Sequence, residues 1–427
     1  MKIWLIAFYF PPINTIGVER PKKFLRYFLK KGFDTTIFSV CRQGEDNVDI
    51  PDDYRCRRSK VCFAGYHFRD TAVGRWSRWW RLVLPRAVTA VFDDSGWTWM
   101  PHLRRDMELA WQENNRPDVI VATGRPFLTF LTITRFANKY GIPVILDYRD
   151  AWSGNPHSSY NMRLRQLLIS WLERRVNRQA FGILTVSRFT AKSLKSETKP
   201  LVIYNLPDRA YVDEIKAIAL TAGDPPPDKL VLVFAGTLYP GRDFDPICLA
   251  LATLPLDVLS DIEIQYCGDS SARARASFQA HNVAQNLVLH GTVSKSESVR
   301  MVASADIAIS IICSSTVNNS TAIRGVITTK VFDYVAMGKE ILNIIPDGFE
   351  FSDFAREIGL QGLINHRPDD VEGIAAFLRS RVEHKRAFRR TISNDISIKW
   401  ENLWDAQMEA LDELLVEAAH ENVERAF

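Results

Sequence analysis

The residues best suited to chemistry are cations and carboxylates placed where loops meet helices. In Gly325-Val-Ile-Thr-Thr-Lys330-Val-Phe-Asp333-Tyr334-Val-Ala-Met-Gly338 the pattern predicts a short helix ended by Gly338. Lys330 and Asp333 share one of its faces. A lysine in a first helical turn opposes the helix dipole unless an anion compensates it; a solvated Lys and Asp pair is the plainer alternative. Leu232-Val-Phe-Ala-Gly236-Thr237-Leu-Tyr239-Pro-Gly241-Arg242-Asp243 reads as a strand running into a glycine-punctuated turn with a cation. Backbone at Gly236 and Thr237 can come near a diphosphate while Arg242 donates charge-assisted bonds. Asp243 and Asp245 spell DxD, a pattern that can hold a metal, but Asp245-Pro246 sits at a helix start, where capping is the favoured role.

Two further stretches lie nearer the N-terminus. Phe8-Tyr-Phe-Pro-Pro-Ile-Asn-Thr-Ile-Gly17-Val-Glu-Arg20 leads into an amphipathic helix, with Gly17 at its start. A phosphate can approach such a helix end where no Cβ intrudes, although a glycine cap after a proline turn explains the same residues. Leu146-Asp147-Tyr-Arg149-Asp150-Ala-Trp152 ends a strand with two carboxylates and an arginine. A carboxylate there could orient or deprotonate a hydroxyl, or Arg149 could pair with Asp147 or Asp150 and pin the loop. The eight histidines show no HxxxH or HExxH spacing, which argues against zinc. Neither GxGxxG, GxSxG nor GxxxxGK[ST] occurs, so no dinucleotide cofactor, serine nucleophile or P-loop is expected.

These loops need strands to hold them. Strand patterns near 2–9, 34–40, 118–122, 143–148, 182–186 and 201–204 alternate with amphipathic segments, the mark of a parallel sheet covered on both faces. A second series runs at 230–235, 262–267, 287–290, 306–312 and 340–345, with helical patterns at 245–253, 294–303, 329–337 and 368–383. The expected organisation is an N-terminal Rossmann-like domain over 1–205, a linker over 206–228 ending in Gly223-Asp-Pro-Pro-Pro-Asp228, and a second Rossmann-like domain over 229–395. Residues 396–427 carry Trp400, Trp404, Met408, Leu411 and Leu415 at helical spacing, predicting a long helix that braces the domains.

Composition narrows the partners. A net charge of +4 with no long basic tail leaves no case for nucleic acid. Six scattered cysteines without a CxxC pair suit a reducing compartment. Lys2 to Phe10 is apolar, but Pro11-Pro12 follows at once and no small-residue cleavage site appears, so it reads as a buried first strand. The expected location is cytoplasmic, at the inner face of a membrane if the tryptophan-rich stretch Arg75-Trp76-Ser-Arg78-Trp79-Trp80-Arg81-Leu-Val83 touches lipid. A helix packed on the N-terminal domain accounts equally for that stretch.

Taken together, the segments resemble the retaining, metal-independent glycosyltransferases of the glycosyltransferase family 4-like group, which share the GT-B architecture of two Rossmann-like, doubly wound domains. The resemblance is carried by Tyr9-Phe-Pro-Pro12 with Gly17 and Arg20, Asp94-Ser-Gly-Trp97, Pro143 to Trp152, Thr185-Val-Ser187, Gly236 to Arg242 and Lys330 to Tyr334. It implies hexosyl transfer from a nucleoside-diphosphate sugar of UDP or GDP type onto a glycan or lipid-linked acceptor, with no cofactor and no metal. Arg242 and Lys330 would neutralise the departing diphosphate, with Gly17, Gly236 and Thr237 beside it. Asp333 would hold the ribose and Val293 would lie near the base. Arg20, Arg149 and Asp150 would serve the acceptor, bound between the domains, with Asp150 orienting its hydroxyl. One departure stands out: Gly325 occupies the position where the family often has an acidic residue for the donor sugar. It favours a second reading, a catalytically inactive nucleotide-sugar-binding or scaffold subunit. A nucleotide-sugar epimerase is a third, but the motif loops lack the histidines it would need.

Overall fold

The computed structural model describes residues 1–11, 13, 16–41, 55–60, 94, 96–154, 163–315, 324–388 and 400–426. The tryptophan-rich stretch 75–83 lies outside them. The chain divides into two compact units: Met1–Asn205 with Asp405–Phe427, and Leu206–Trp404.

The first unit is built on β1 (Lys2–Ala7), β2 (Asp34–Cys41), β3 (Arg55–Lys60), β4 (Val119–Gly124), β5 (Val144–Tyr148), β6 (Gly182–Thr185) and β7 (Leu201–Val202). They form one seven-stranded sheet in the order β3-β2-β1-β4-β5-β6-β7, with every pairing parallel. β1, β4, β5 and β6 are buried on both faces, which is why they read as nearly unbroken apolar runs. β3, RCRRSK, has no apolar run; only its pairing with β2 makes it a strand.

The second unit repeats the plan with β8 (Leu230–Ala235), β9 (Ile262–Cys267), β10 (Leu287–Gly291), β11 (Ile307–Ile311), β12 (Glu340–Ile344) and β13 (Leu363–His366). Its order is β10-β9-β8-β11-β12-β13. In both sheets the strand order reverses beside the first strand, between β1 and β4 and between β8 and β11. In open α/β sheets such a reversal is where loops part at the carboxyl edge and ligands bind.

Two boundaries differ from expectation. The stretch 206–228 holds a helix, Arg209–Ala219, begun by Asp208, whose side chain accepts from the Tyr211 amide at 3.0 Å. The turn residues Gly223 to Asp228 follow it, so the helix belongs to the second unit and only its tail has linker composition. The C-terminal helix, Trp400–Ala426, groups with the first unit from Asp405 onward. There Met408, Leu411, Leu415 and Ala418 are fully buried. The Gln407 side chain accepts from the Tyr204 amide, Asp412 pairs with Lys31 at 2.8 Å, and Asn422 donates to the Asp118 carbonyl at 3.1 Å.

Candidate functional site

In the second unit the loop after β8 makes a tight turn, Tyr239 and Arg242 exchanging backbone bonds at 3.2 and 2.8 Å. Gly241 has φ of 80°, a conformation that glycine adopts without strain. The Gly241 carbonyl accepts from the Ser314 amide at 2.8 Å and the Ser314 hydroxyl accepts from the Asp243 amide at 3.1 Å. The loops after β8 and β11 are thereby tied at the strand-order reversal. Arg242 is held between two rings, its guanidinium 5.6 Å from Phe234 and 5.5 Å from Tyr239, while its buried Nε has no hydrogen-bond partner.

Lys330 stands beside it, on the second residue of the helix Thr329–Ala336, which ends at Gly338 with φ of 68°. Its ammonium donates to the Ala235 carbonyl. A Cβ built on Gly236 would lie 2.6 Å from Nζ, so any larger residue there would displace the lysine. Burial, with Arg242 as the next cause, holds the Lys330 pKa below the ordinary lysine range. Among the described residues neither cation makes an ion pair with a carboxylate. Two neighbouring cations, one desolvated and one with an unmet donor, form a site short of an anion.

Around them the expected residues fall into place unevenly. Thr237 is exposed beyond the strand end, but the Gly236 amide is spent on the Cys267 carbonyl at 2.8 Å and is not free for phosphate. Asp333 accepts from the Tyr211 hydroxyl at 2.8 Å. Tyr211 in turn carries Lys295 over its ring at 4.2 Å, and Lys295 lies 3.5 Å from Glu214. Val293 is half-buried just before Ser294, which caps the helix Lys295–Ala303. Tyr211 was not foreseen, because the segment that bears it reads as a linker. Asp243 accepts from the Asp245 amide at 3.3 Å, a capping role; the helix begins at Asp245, with Phe244 rather than Asp245 at the cap position.

In the first unit, two of the three residues expected at an acceptor are engaged elsewhere. Arg20 is buried and forms a bidentate pair with Asp147, at 2.7 Å for the shortest contact, and Nη1 also donates to the Ile203 carbonyl at 2.8 Å and to Asn205 at 2.9 Å. Its charge is met, so it holds the end of β5 instead of facing a ligand. Arg149 donates to three backbone carbonyls, those of Gly17, Gly124 and Arg125. Burial lowers its pKa. It pins the loops after β1 and β4 through their carbonyls, with neither Asp147 nor Asp150 as its partner. Gly17 gives it room: a Cβ there would lie 3.1 Å from Arg149 Nη1 and 3.2 Å from the Tyr9 ring. Asp150 alone is open, its side chain 58% exposed and 3.7 Å from Arg125. Three residues further on, Ser153 donates its hydroxyl and amide to buried Glu173. Asp94 accepts from the amides of Gly96, Phe127 and Leu128, at 2.6, 2.6 and 3.0 Å, and so fixes the loop after β4.

The family model of the glycosyl transferase 4-like domain matches residues 26–196. Solved structures share the fold over the whole chain. Sucrose-phosphate synthase from Thermosynechococcus elongatus is 13% identical, with 98% of this chain and 99% of that one covered at a TM-score of 0.59. The catalytic domain of starch synthase IV from Arabidopsis thaliana, bound to ADP and acarbose, is 12% identical, with 98% and 99% covered at 0.53. The lipopolysaccharide outer core galactosyltransferase WaaB, in its apo form, is 13% identical, with 100% of both chains covered at 0.50. No curated protein sequence matches the chain. The fold is thus that of these structures, two Rossmann-like units in the GT-B architecture, and within it residues 26–196 are similar to a glycosyl transferase 4-like domain.

Proposed function

We propose that the chain transfers a hexosyl group from a nucleoside-diphosphate sugar to a glycan or lipid-linked acceptor, with retention and without a metal. The observation that carries this reading is the pairing of Lys330 with Arg242, two cations without carboxylate partners among the described residues. A diphosphate supplies the charge they lack. Thr237 lies beside it, Asp333 with Tyr211 takes the ribose, and Val293 flanks the base. That starch synthase IV binds ADP on the same fold supports a nucleotide here.

In the reaction the bond from the anomeric carbon to the diphosphate oxygen breaks as the acceptor oxygen bonds to the same face. The acceptor proton passes to the departing phosphate oxygen. Arg242 and Lys330 carry the charge that develops there, and each such preorganised donor is worth about 3 kcal/mol. Asp150 orients the acceptor hydroxyl.

The test joins binding to turnover. UDP or GDP is expected to raise the melting temperature, Lys330→Ala and Arg242→Ala to abolish that rise, and turnover of the preferred sugar nucleotide to fall roughly a hundredfold or more in each variant. No response to UDP, GDP, CMP or dTDP would refute the donor site. Nucleotide binding without turnover on any sugar nucleotide would instead support the inactive-subunit reading that Gly325 favours.

A further inference from the structure

The helix Arg163–Asn177 has two faces of opposite character. Ile169, Leu172, Glu173, Val176 and Asn177 are buried. The outer face carries Leu164, Leu167, Leu168 and Trp171, exposed to 74, 66, 38 and 53%. Their spacing puts them in one stripe along two turns, the pattern a helix normally buries. Among the described residues ten large hydrophobics are exposed, and four of them stand in this stripe. Single exposed apolar residues need no explanation; a contiguous stripe marks a contact surface.

Charge identifies what the stripe contacts. Arg163, Arg174 and Arg175 are exposed on the same helix, and Arg165 is half-buried. The Arg175 guanidinium lies 5.5 Å from the Trp171 ring. The helix's only acid, Glu173, is turned inward to Ser153. Arg178 is set aside, because Glu197 neutralises it at 2.9 Å. The outer surface is thus apolar and cationic with no exposed anion. A second copy fits poorly: pairing two such helices antiparallel about a twofold axis would set Arg163 of each against Arg174 and Arg175 of the other. A layer that is apolar inside and anionic outside meets both features.

We propose that this helix lies on an anionic lipid bilayer, with Leu164, Leu167, Leu168 and Trp171 in the acyl boundary and Arg163, Arg174 and Arg175 among phosphate headgroups. The inner face gives the placement a consequence. Glu173 holds Ser153, three residues from Asp150, so the loop that presents Asp150 is fixed to the helix that touches lipid. A lipid-linked acceptor would then arrive beside Asp150; this last step rests on the acceptor role proposed above, whereas the lipid contact does not.

The experiment is flotation of the full chain with vesicles of phosphatidylcholine, with and without phosphatidylglycerol. Binding is expected with phosphatidylglycerol and to be about tenfold weaker without it. Leu167→Ser/Trp171→Ser, both at exposed positions, should lower binding by about tenfold or more. Arg174→Gln/Arg175→Gln should remove most of the preference for phosphatidylglycerol. Wild-type protein that does not float, or a Leu167→Ser/Trp171→Ser variant that floats equally, overturns the proposal. So does lipid-free self-association that the same variant abolishes, since it assigns the stripe to a second copy. The melting shift with UDP, GDP, CMP and dTDP, measured in parallel, separates the two readings: no shift with any of them while flotation is retained removes the donor site, and the reverse removes the lipid surface alone.

Discussion

Among the described residues, buried cations divide into those paired with a carboxylate and those, Lys330 among them, that are not. Arg20 with Asp147 and Lys385 with Asp306 are buried pairs. Lys330 is desolvated, crowded by Arg242, and bonded only to a carbonyl. The first kind holds structure. Arg20→Met should leave Asp147 buried and unpaired and cost about 3–5 kcal/mol of stability, measurable by urea denaturation, with Arg20→Met/Asp147→Leu recovering much of it. An Arg20→Met variant of unaltered stability would show that the pair is not structural. Lys330 behaves oppositely. Its folded pKa is depressed, so the charged form is disfavoured in the free protein, and stability is regained as pH rises through that depressed value toward the ordinary lysine range. A diphosphate restores the charge. Between the free and bound pKa values, nucleotide binding should therefore take up a proton, and affinity should fall as pH rises. Calorimetry in buffers of unequal ionisation enthalpy reads this uptake directly; heats independent of buffer at every pH would show that no ammonium is regained.

The elements that were legible in the sequence are those whose partners are close along the chain or whose burial is two-sided. β1, β4, β5 and β8 read as strands because both faces are covered and nearly every residue is apolar. β3 was not legible, since Arg55–Lys60 lies at the sheet edge and owes its conformation to backbone pairing with β2. The loop after β8 and the helix of Lys330 announce their chemistry in contiguous motifs. Arg20 and Arg149 do not: their roles depend on Asp147 and Gly17, 127 and 132 residues away, and residue type cannot tell a ligand contact from such a bond. The helix Arg209–Ala219 was hidden by the proline-rich turn that follows it, although Asp208 and the spacing of Tyr211, Ile215 and Ile218 could have disclosed it. That helix matters to the site because Tyr211 donates to Asp333. Tyr211→Phe should lower nucleotide affinity several-fold, consistent with about 1 kcal/mol for one hydrogen bond. The melting temperature of the free protein should hardly change. Equal affinity by calorimetry would mean that Asp333 needs no orientation from this helix.

At the scale of the molecule, the chain leaves its first unit at Asn205 and returns to it at Asp405, so the whole second unit is an insertion between a sheet and that sheet's last helix. The returning segment is an integral part of the first unit. It buries Met408, Leu411 and Leu415, presses Leu414 against Gly182, and bonds to Tyr204, Lys31 and Asp118. Each fully buried apolar side chain is worth about 1.5–3 kcal/mol, so the three together approach the entire margin of an ordinary domain. Truncation after Trp404 should consequently unfold or strongly destabilise the unit carrying Asp150 while sparing the one carrying Lys330. Scanning calorimetry of the truncated chain should show the first unit's transition lost or lowered by many degrees, and the remaining transition should still move upward with UDP or GDP. If both units were lost together, the second unit would depend on the first for its stability; if neither moved, the burial of Met408, Leu411 and Leu415 would carry none of the weight assigned to it here.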